Sequence, residues 1–386
     1  MSLTPAHQEI RESVLKICAR LGDDYWLARD ADGAFPNELH QALAQAGWLG
    51  IAMPEAYGGA GLGITEAAVM MQAIAESGAA FSGASAVHMN IFGLNPVVVF
   101  GTEEQKRRFL PPLIAGKEKS CFAVTEPDAG LDTTRLKVRA VRQGNGYAIH
   151  GQKIWISTAQ VADRVLLLAR TTPLEEVKKR TEGLSLFYTA LDRKYVEARV
   201  IDKMGRKAVD SNQLFFDGLP VPPEDRIGEE GKGFEYILHG MNPERILIAA
   251  EAVGVGRAAL ARATRYAKER IVFGRPIGQN QAIQHPLAKC WMELEAANLM
   301  TLKAAALYDA GEPCGIEANA AKYLAGEAGF NACETAVLTH GGMGYAKEFH
   351  VERLMREVMI ARIAPVSREL ILCNIAERAL GLPKSY

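Results

Sequence analysis

Residues 120–157 read SCFAVTEPDAGLDTTRLKVRAVRQGNGYAIHGQKIWIS, and the texture of the chain changes here. CFAVT, LKVRAV and YAIHGQKIWIS are short, rich in β-branched and aromatic residues, and broken by turn residues such as GNG. RVLLLAR, LSLFYTAL, VEARV and QLFFD follow in the same style. Seven such runs within about a hundred residues predict a compact antiparallel β-barrel or sandwich. LPVPPED then reads as a proline-rich linker that closes the segment.

On both sides of this segment the hydrophobic period is helical. Ile10, Val14 and Ile17 share one face, and Phe35, Leu39, Leu43 and Trp48 mark another helix. A Gly-rich turn, YGGAGLG, interrupts the pattern, Thr102 is placed to N-cap a helix, and Asn95-Pro96 and Pro111-Pro112 punctuate the rest. Beyond Gly231 the period returns in Ala-rich stretches such as AALARATRYAKERI and NAAKYLAGEAGFNACETAVL, broken at GRPIG and HGGMGY. The expected fold class is α+β and multidomain. An N-terminal α-helical domain spans 1–118, a middle antiparallel β-barrel or sandwich domain 119–228, and a C-terminal α-helical bundle domain 229–386.

Composition bounds the function. The chain has 386 residues, 44 Lys+Arg against 45 Asp+Glu, and 48% hydrophobic residues, enough for a large core. A net charge of -1 gives no basic footprint for nucleic acid or anionic lipid, which points to a small-molecule enzyme. The six cysteines form no C-x-x-C pair, which argues against a zinc site or a redox dithiol. The opening MSLTPAHQEI lacks a basic segment followed by an apolar one, and no run approaches the roughly 18 apolar residues of a membrane span, so a soluble, cytoplasmic protein is expected. GVGRAA at Gly254 has part of a dinucleotide-loop pattern but sits in a helical run with no strand before it, so helix packing explains it better. The eight histidines form no H-E-x-x-H pair and read as surface or packing residues.

Four strings in order carry more: CFAVTEPDAG with GQKIWIS, then RIVFGRPIGQNQ, then HGGMGY, then LMRE. Together they resemble the flavin-dependent acyl-CoA dehydrogenase family over nearly the whole chain. The resemblance implies FAD as cofactor, an acyl-CoA thioester as substrate, an electron-transferring flavoprotein as electron acceptor, and a homotetramer built as a dimer of dimers. By position, Phe122, Val124 and Thr125 would line the isoalloxazine, and Trp155 with Ser157 would flank it. Reduction places negative charge on the ring, and strand amides are fixed donors suited to it. Arg270 and Gln281 would meet the pyrophosphate of a partner subunit's FAD, with Phe273 packed nearby. Gly341, Gly342 and Ser367 match further FAD positions, the glycines because backbone must approach closely. Leu338 and Glu369 stand where many members have Gln, and Leu131 replaces a Ser of the T-E-P-x-A-G-S-D string that would face substrate.

The implied reaction removes an α-proton and transfers the β-hydrogen as hydride to flavin N5, so a carboxylate must face the α-carbon. In many members it lies about ten residues after the L-M-R-[DE] string, where this chain has Pro365. A second branch, with isovaleryl- and long-chain-type enzymes, carries the Glu in an [LM]-x-x-E-R string, which Met241-Asn242-Pro243-Glu244-Arg245 matches. Glu244 is therefore the expected base, with Asn242 and Arg245 near the pantetheine and thioester. Asn242 is a good N-cap residue and Pro243 a good first helical residue, which would put Glu244 in a first turn. Pro365 also lacks the N–H that the family uses to polarise the thioester carbonyl, a role that Val366 could take over. Two alternatives stay open: an oxidase or monooxygenase on the same fold, and a non-catalytic flavoprotein or DNA-binding relative. Residues 227–386 carry equal numbers of basic and acidic residues, which speaks against duplex binding.

Overall fold

The computed structural model describes residues 3–385. Up to Ile114 the chain is helical: α1 (Pro5–Cys18), α2 (Asp23–Asp32), α3 (Asn37–Gln45), α4 (Ile64–Ile74), α5 (Ala80–His88), α6 (Asn95–Phe100) and α7 (Glu103–Ile114). Ile10, Val14 and Ile17 form the buried stripe of α1. Thr102 caps α7 as expected. Its hydroxyl accepts from the Gln105 N–H at 3.2 Å, and the Gln105 side chain accepts from the Thr102 N–H at 2.9 Å. Pro111 and Pro112 do not end α7, because they fall in its last turns and the Ala115 N–H closes the helix behind them on the Pro111 carbonyl at 3.0 Å.

One expectation about apolar runs is corrected. The helical run Ile64–Phe100 is long and apolar enough to cross a membrane, with a mean hydropathy of 1.3, but 78% of that window is buried inside the protein. A helix that is apolar all round is what the centre of a large core requires.

The seven β-type runs all form strands: β1 (Ser120–Ala123), β2 (Arg139–Gln143), β3 (Gly146–Ser157), β4 (Arg164–Arg170), β5 (Leu184–Ala190), β6 (Val196–Val200) and β7 (Ser211–Val221), with a short β8 (Arg226–Ile227) after them. They make one sheet in the order β6-β7-β3-β2-β4-β5-β8, with β1 also on β4. The sheet is mixed, not wholly antiparallel as expected. β1 runs parallel to β4, from Ser120 opposite Arg164 to Ala123 opposite Leu167, and β2 touches β4 in parallel at Arg139 and Arg170. The β2–β3 hairpin lies between β1 and β4 in the chain and supplies the long crossover that a parallel pair needs. LPVPPED is only partly a linker, since β7 runs on through Leu219-Pro220-Val221 and pairs Pro220 with Ala148.

β4 is apolar without alternation because both its faces are covered. Val165, Leu167 and Ala169 fill the core within the β domain, whereas Leu166 and Leu168 join the helical core. The C-terminal part comprises α8 (Gly233–His239), α9 (Met241–Glu269), a hairpin of β9 (Ile271–Val272) and β10 (Arg275–Pro276), α10 (Gln281–Asp309), α11 (Gly315–His340), α12 (Val351–Val358), α13 (Ile360–Ile363) and α14 (Arg368–Arg378). The helix-packing explanation of GVGRAA fits. A Cβ on Gly254 would lie 2.5 Å from the Gln72 carbonyl oxygen, and one on Gly256 would lie 3.1 Å from the Gly329 Cα. α9 therefore touches both α4 and α11 closely, and its first turn sits among core residues.

Candidate functional site

α8 feeds almost directly into α9. Gly240 joins them in right-handed helical conformation (φ −76°, ψ −11°) and holds the N-cap place expected of Asn242. The Glu244 N–H donates to the Gly240 carbonyl at 3.1 Å, which places Glu244 one turn into the helix. Asn242 cannot cap from inside the turn, and its carboxamide oxygen instead accepts from the Arg245 guanidinium. Arg245 also donates to the Met241 carbonyl at 3.0 Å and to Asn319 Oδ1 at 2.6 Å. Burial lowers its pKa, partly offset by Cys314 and Glu244. A guanidinium held by three neutral oxygens keeps its full charge available to an anionic or carbonyl-bearing ligand.

Among the described residues six carboxylates are buried: Asp30, Glu126, Asp225, Glu244, Glu251 and Glu357. Most are committed. Asp30 takes Arg356, and Asp225 takes Arg108. Glu126 accepts from the Lys137 and Val138 N–H groups and from Lys153. Glu357, the acid of the LMRE string, accepts from the N–H and hydroxyl of Ser82, both at 2.8 Å, and from Arg353 at 3.0 Å. Glu251 is bound to His88. Glu244, 8% exposed, is the one that accepts no hydrogen bond among the described residues. Its Oε2 lies 3.5 Å from His88 Nε2.

His88, the last residue of α5, went unrecognised in the sequence and is the central group here. Its Nδ1 bonds to Glu251 and its Nε2 faces Glu244. Burial alone would push its pKa down, but Glu251 and Glu244 override burial and raise it to about 10. His88 is therefore an imidazolium between two carboxylates. The available signal was that Glu244 and Glu251 are seven residues apart, hence on one helix face, in an otherwise apolar stretch.

The expected flavin strand lies next to this cluster. The His88 ring meets Phe92 edge-on at 4.7 Å between centroids, and Phe92 meets Phe122 of β1 at 5.2 Å. Past Ala123 the chain leaves the ladder. Its carbonyls are tied from behind, Val124 by Lys153 Nζ at 2.7 Å and Thr125 by the Ile154 N–H at 3.0 Å. The N–H groups of Val124 and Thr125 and the Thr125 hydroxyl enter no hydrogen bond among the described residues. The segment thus presents donors, as a ring that gains negative charge requires. Trp155 sits where the β3–β7 register slips, at φ 62°, and this bulge turns its indole outward to 56% exposure. Ser157 accepts from Arg206 at 2.9 Å, and Arg206 also reaches Ser85 and Ser211. Burial lowers the Arg206 pKa, and Glu251, Glu357, Asp210 and Glu244 act against that. The donor set at Val124 and Thr125 and the outward indole fit a flavin.

The other expected residues stand apart. Arg270 caps the C-terminal end of α9, Phe273 lies in the β9–β10 turn and Gln281 opens α10; all three are exposed, Phe273 fully. Leu338 is exposed near the end of α11. Gly341 follows at φ +59°, and a Cβ on either Gly341 or Gly342 would meet nothing within 4 Å, so this backbone is open to close approach. Ser367 caps α14, its hydroxyl oxygen accepting from the Leu370 N–H at 3.2 Å, and the exposed Glu369 carboxylate pairs with Arg368. Leu131 is exposed on the loop after β1. Pro365 follows α13, and the carbonyl of its neighbour Val366 accepts from the buried Lys322 at 2.6 Å.

Comparison with known proteins agrees with this arrangement. Residues 4–117, 121–219 and 231–380 match the models of the N-terminal, middle and C-terminal domains of acyl-CoA dehydrogenase. The acyl-CoA dehydrogenase FadE12 of Mycobacterium tuberculosis is 39% identical over 381 residues, covering 98% of this chain and 97% of that protein. The structure of butyryl-CoA dehydrogenase from Megasphaera elsdenii superposes with a TM-score of 0.93 at 31% identity, over 99% of this chain and 100% of that one. The FAD complex of PigA does so with a TM-score of 0.92 at 26% identity, over 99% of both chains. With three ordered domains, a flavin-compatible strand and full-length relatives, the chain belongs to the acyl-CoA dehydrogenase family of FAD-dependent oxidoreductases.

Proposed function

We propose that the protein dehydrogenates an acyl-CoA thioester to the 2-enoyl-CoA, with Glu244 as the base that takes the α-proton. The observation that carries this reading is the uncommitted, buried Glu244 carboxylate, joined through His88 and Phe92 to Phe122 on the flavin strand. Bound FAD supplies the acceptor for the β-hydride. Glu244 accepts the proton on Oε1, the oxygen turned away from His88, in surroundings that exclude water and so strengthen its interactions. Arg245 and Asn242, one residue after and two before, hold the thioester end. Phe122, Val124, Thr125, Trp155 and Ser157 hold the ring, and the N–H of Val366 supplies the carbonyl donor that Pro365 lacks.

The exposed Phe273, with Arg270 and Gln281 beside it, and the open backbone at Gly341 and Gly342 suit a second copy and its FAD, in keeping with a homotetramer. The outward indole of Trp155 marks the side from which an electron-transferring flavoprotein would draw electrons. Anaerobic addition of straight and branched acyl-CoAs tests the reading: at least one should bleach the flavin within one turnover. Failure of every chain length to bleach it contradicts the proposal, and peroxide release in air without an added acceptor would assign the protein to the oxidase branch.

A further inference from the structure

The Glu244–His88–Glu251 array is more than a place for a base. Glu251 is wholly buried, and its bond to Nδ1 fixes the imidazole so that Nε2 faces Glu244. His88 Nε2 and Glu244 Oε2 both lack a hydrogen-bond partner in a buried setting, yet they face each other at 3.5 Å. Buried polar atoms without partners are costly, so two of them opposed in one site make a pair that completes itself by a small side-chain movement. The other charges that act on these carboxylates are Arg206, from the β6–β7 connection, and Arg245, next to Glu244 on α9; Arg206 in turn has Asp210, Lys203 and Glu357 around it, and Glu357 is paired with Arg353 of α12. Glu357 and Arg353 neutralise one another, and Arg206 is held by three serine hydroxyls. Arg206 and Arg245, both held by neutral oxygens, also act on Glu244, but His88 is the cation whose ring nitrogen directly faces its Oε2, at 3.5 Å.

We propose that His88 is a positioning residue for the base: clamped by Glu251, it presents a charged N–H to Glu244 and holds that carboxylate aimed. This rests on the reading of Glu244 as base. Burial raises a carboxylate's pKa, and an apposed cation within 4–6 Å lowers it by roughly one to three units. An imidazolium 3.5 Å from Oε2 favours the charged form of a carboxylate, and a variant without it loses that bias. Glu251 keeps His88 charged through the cycle, so protonation of Glu244 leaves the clamp intact.

The test is His88→Gln, which keeps a hydrogen-bond donor and removes the charge. The acid limb of the single-turnover bleaching rate should move up by about one to three pH units, with rates converging on those of the unsubstituted enzyme in alkali. In the resting enzyme at pH 7, infrared difference spectra should show a protonated carboxyl band in His88→Gln that disappears in His88→Gln/Glu244→Gln; a band that persists there belongs to Glu251, which loses its partner, and counts against the proposal. A uniform rate loss at every pH, with no such band, overturns the proposal. If His88→Gln fails to retain FAD, His88→Asn, which needs less space, carries the same two measurements, and His88→Lys should keep the acid limb where it stands. Full bleaching by Glu244→Gln would instead remove the underlying assignment, so the two failures are distinguishable.

Discussion

Lys153 Nζ, with no exposed surface, lies 2.9 Å from Glu126 Oε1 and 2.7 Å from the Val124 carbonyl. One ammonium thus ties the middle of β3 to the segment whose free donors we propose face the flavin. Burial lowers the Lys153 pKa to about 8, and Glu126 works against that by stabilising the charge. The pair is a brace for Val124 and Thr125 more than a source of net stability, because desolvating two charges offsets most of their attraction.

Breaking the brace should cost more than its net worth. Lys153→Met leaves Glu126 buried with only its two backbone donors, and unfolding free energy should fall by about 3 kcal/mol. FAD should also dissociate more readily, since the Val124 carbonyl loses its tie. Urea unfolding and flavin release on dilution measure the two effects. An unchanged midpoint with unchanged flavin retention would mean that the brace is incidental.

His40 makes stability sensitive to acid. It is buried against Phe35, and burial, with Lys119 adding to it, lowers its pKa from 6.5 to about 4. Between these values the unfolded chain binds a proton that the folded one refuses, so stability declines as pH falls from 6.5 towards 4. The loss from this group approaches about 3 kcal/mol when complete. His40→Gln should flatten this part of the stability profile in urea titrations at fixed pH. A variant that declines as steeply as the unsubstituted protein would exclude His40 as the cause.

Gly254 tests the packing of α9 on α4. A Cβ there would lie 2.5 Å from the Gln72 carbonyl oxygen and 2.9 Å from the Ala75 Cβ, so Gly254→Ala should destabilise by about 2 kcal/mol despite alanine's better helix propensity. Gly130→Ala, where a Cβ meets nothing, should change stability by less than about 0.5 kcal/mol. Equal midpoints for the two variants would show that α9 has room to shift.

The alternation of helical and strand-like patterns was legible because it is local. Ile10, Val14 and Ile17, the Thr102 capping box and the seven β runs each carry their signal within a few residues. Parallel pairing of β1 with β4 was not legible, since the hairpin between them says nothing about direction on its far side. Asn242-Pro243 suggested a helix start that tertiary structure places two residues earlier, because α8 runs almost directly into α9 through Gly240. Glu244 could be matched to a motif, but His88 could not be assigned from its neighbours: its two partners lie on another helix, far along the chain. Glu251, a charge in an apolar helical run on the same face as Glu244, implies a buried cation without naming it.

Glu244→Gln under anaerobic acyl-CoA addition tests the central claim most directly. The variant keeps its shape and its bond-accepting carbonyl but cannot take a proton. FAD should remain bound with an unperturbed spectrum, acyl-CoA should still bind, and the bleaching rate should fall by at least about a hundredfold. Bleaching at the rate of the unsubstituted enzyme would contradict the assignment and move the base to another carboxylate, with Glu251 the first to examine.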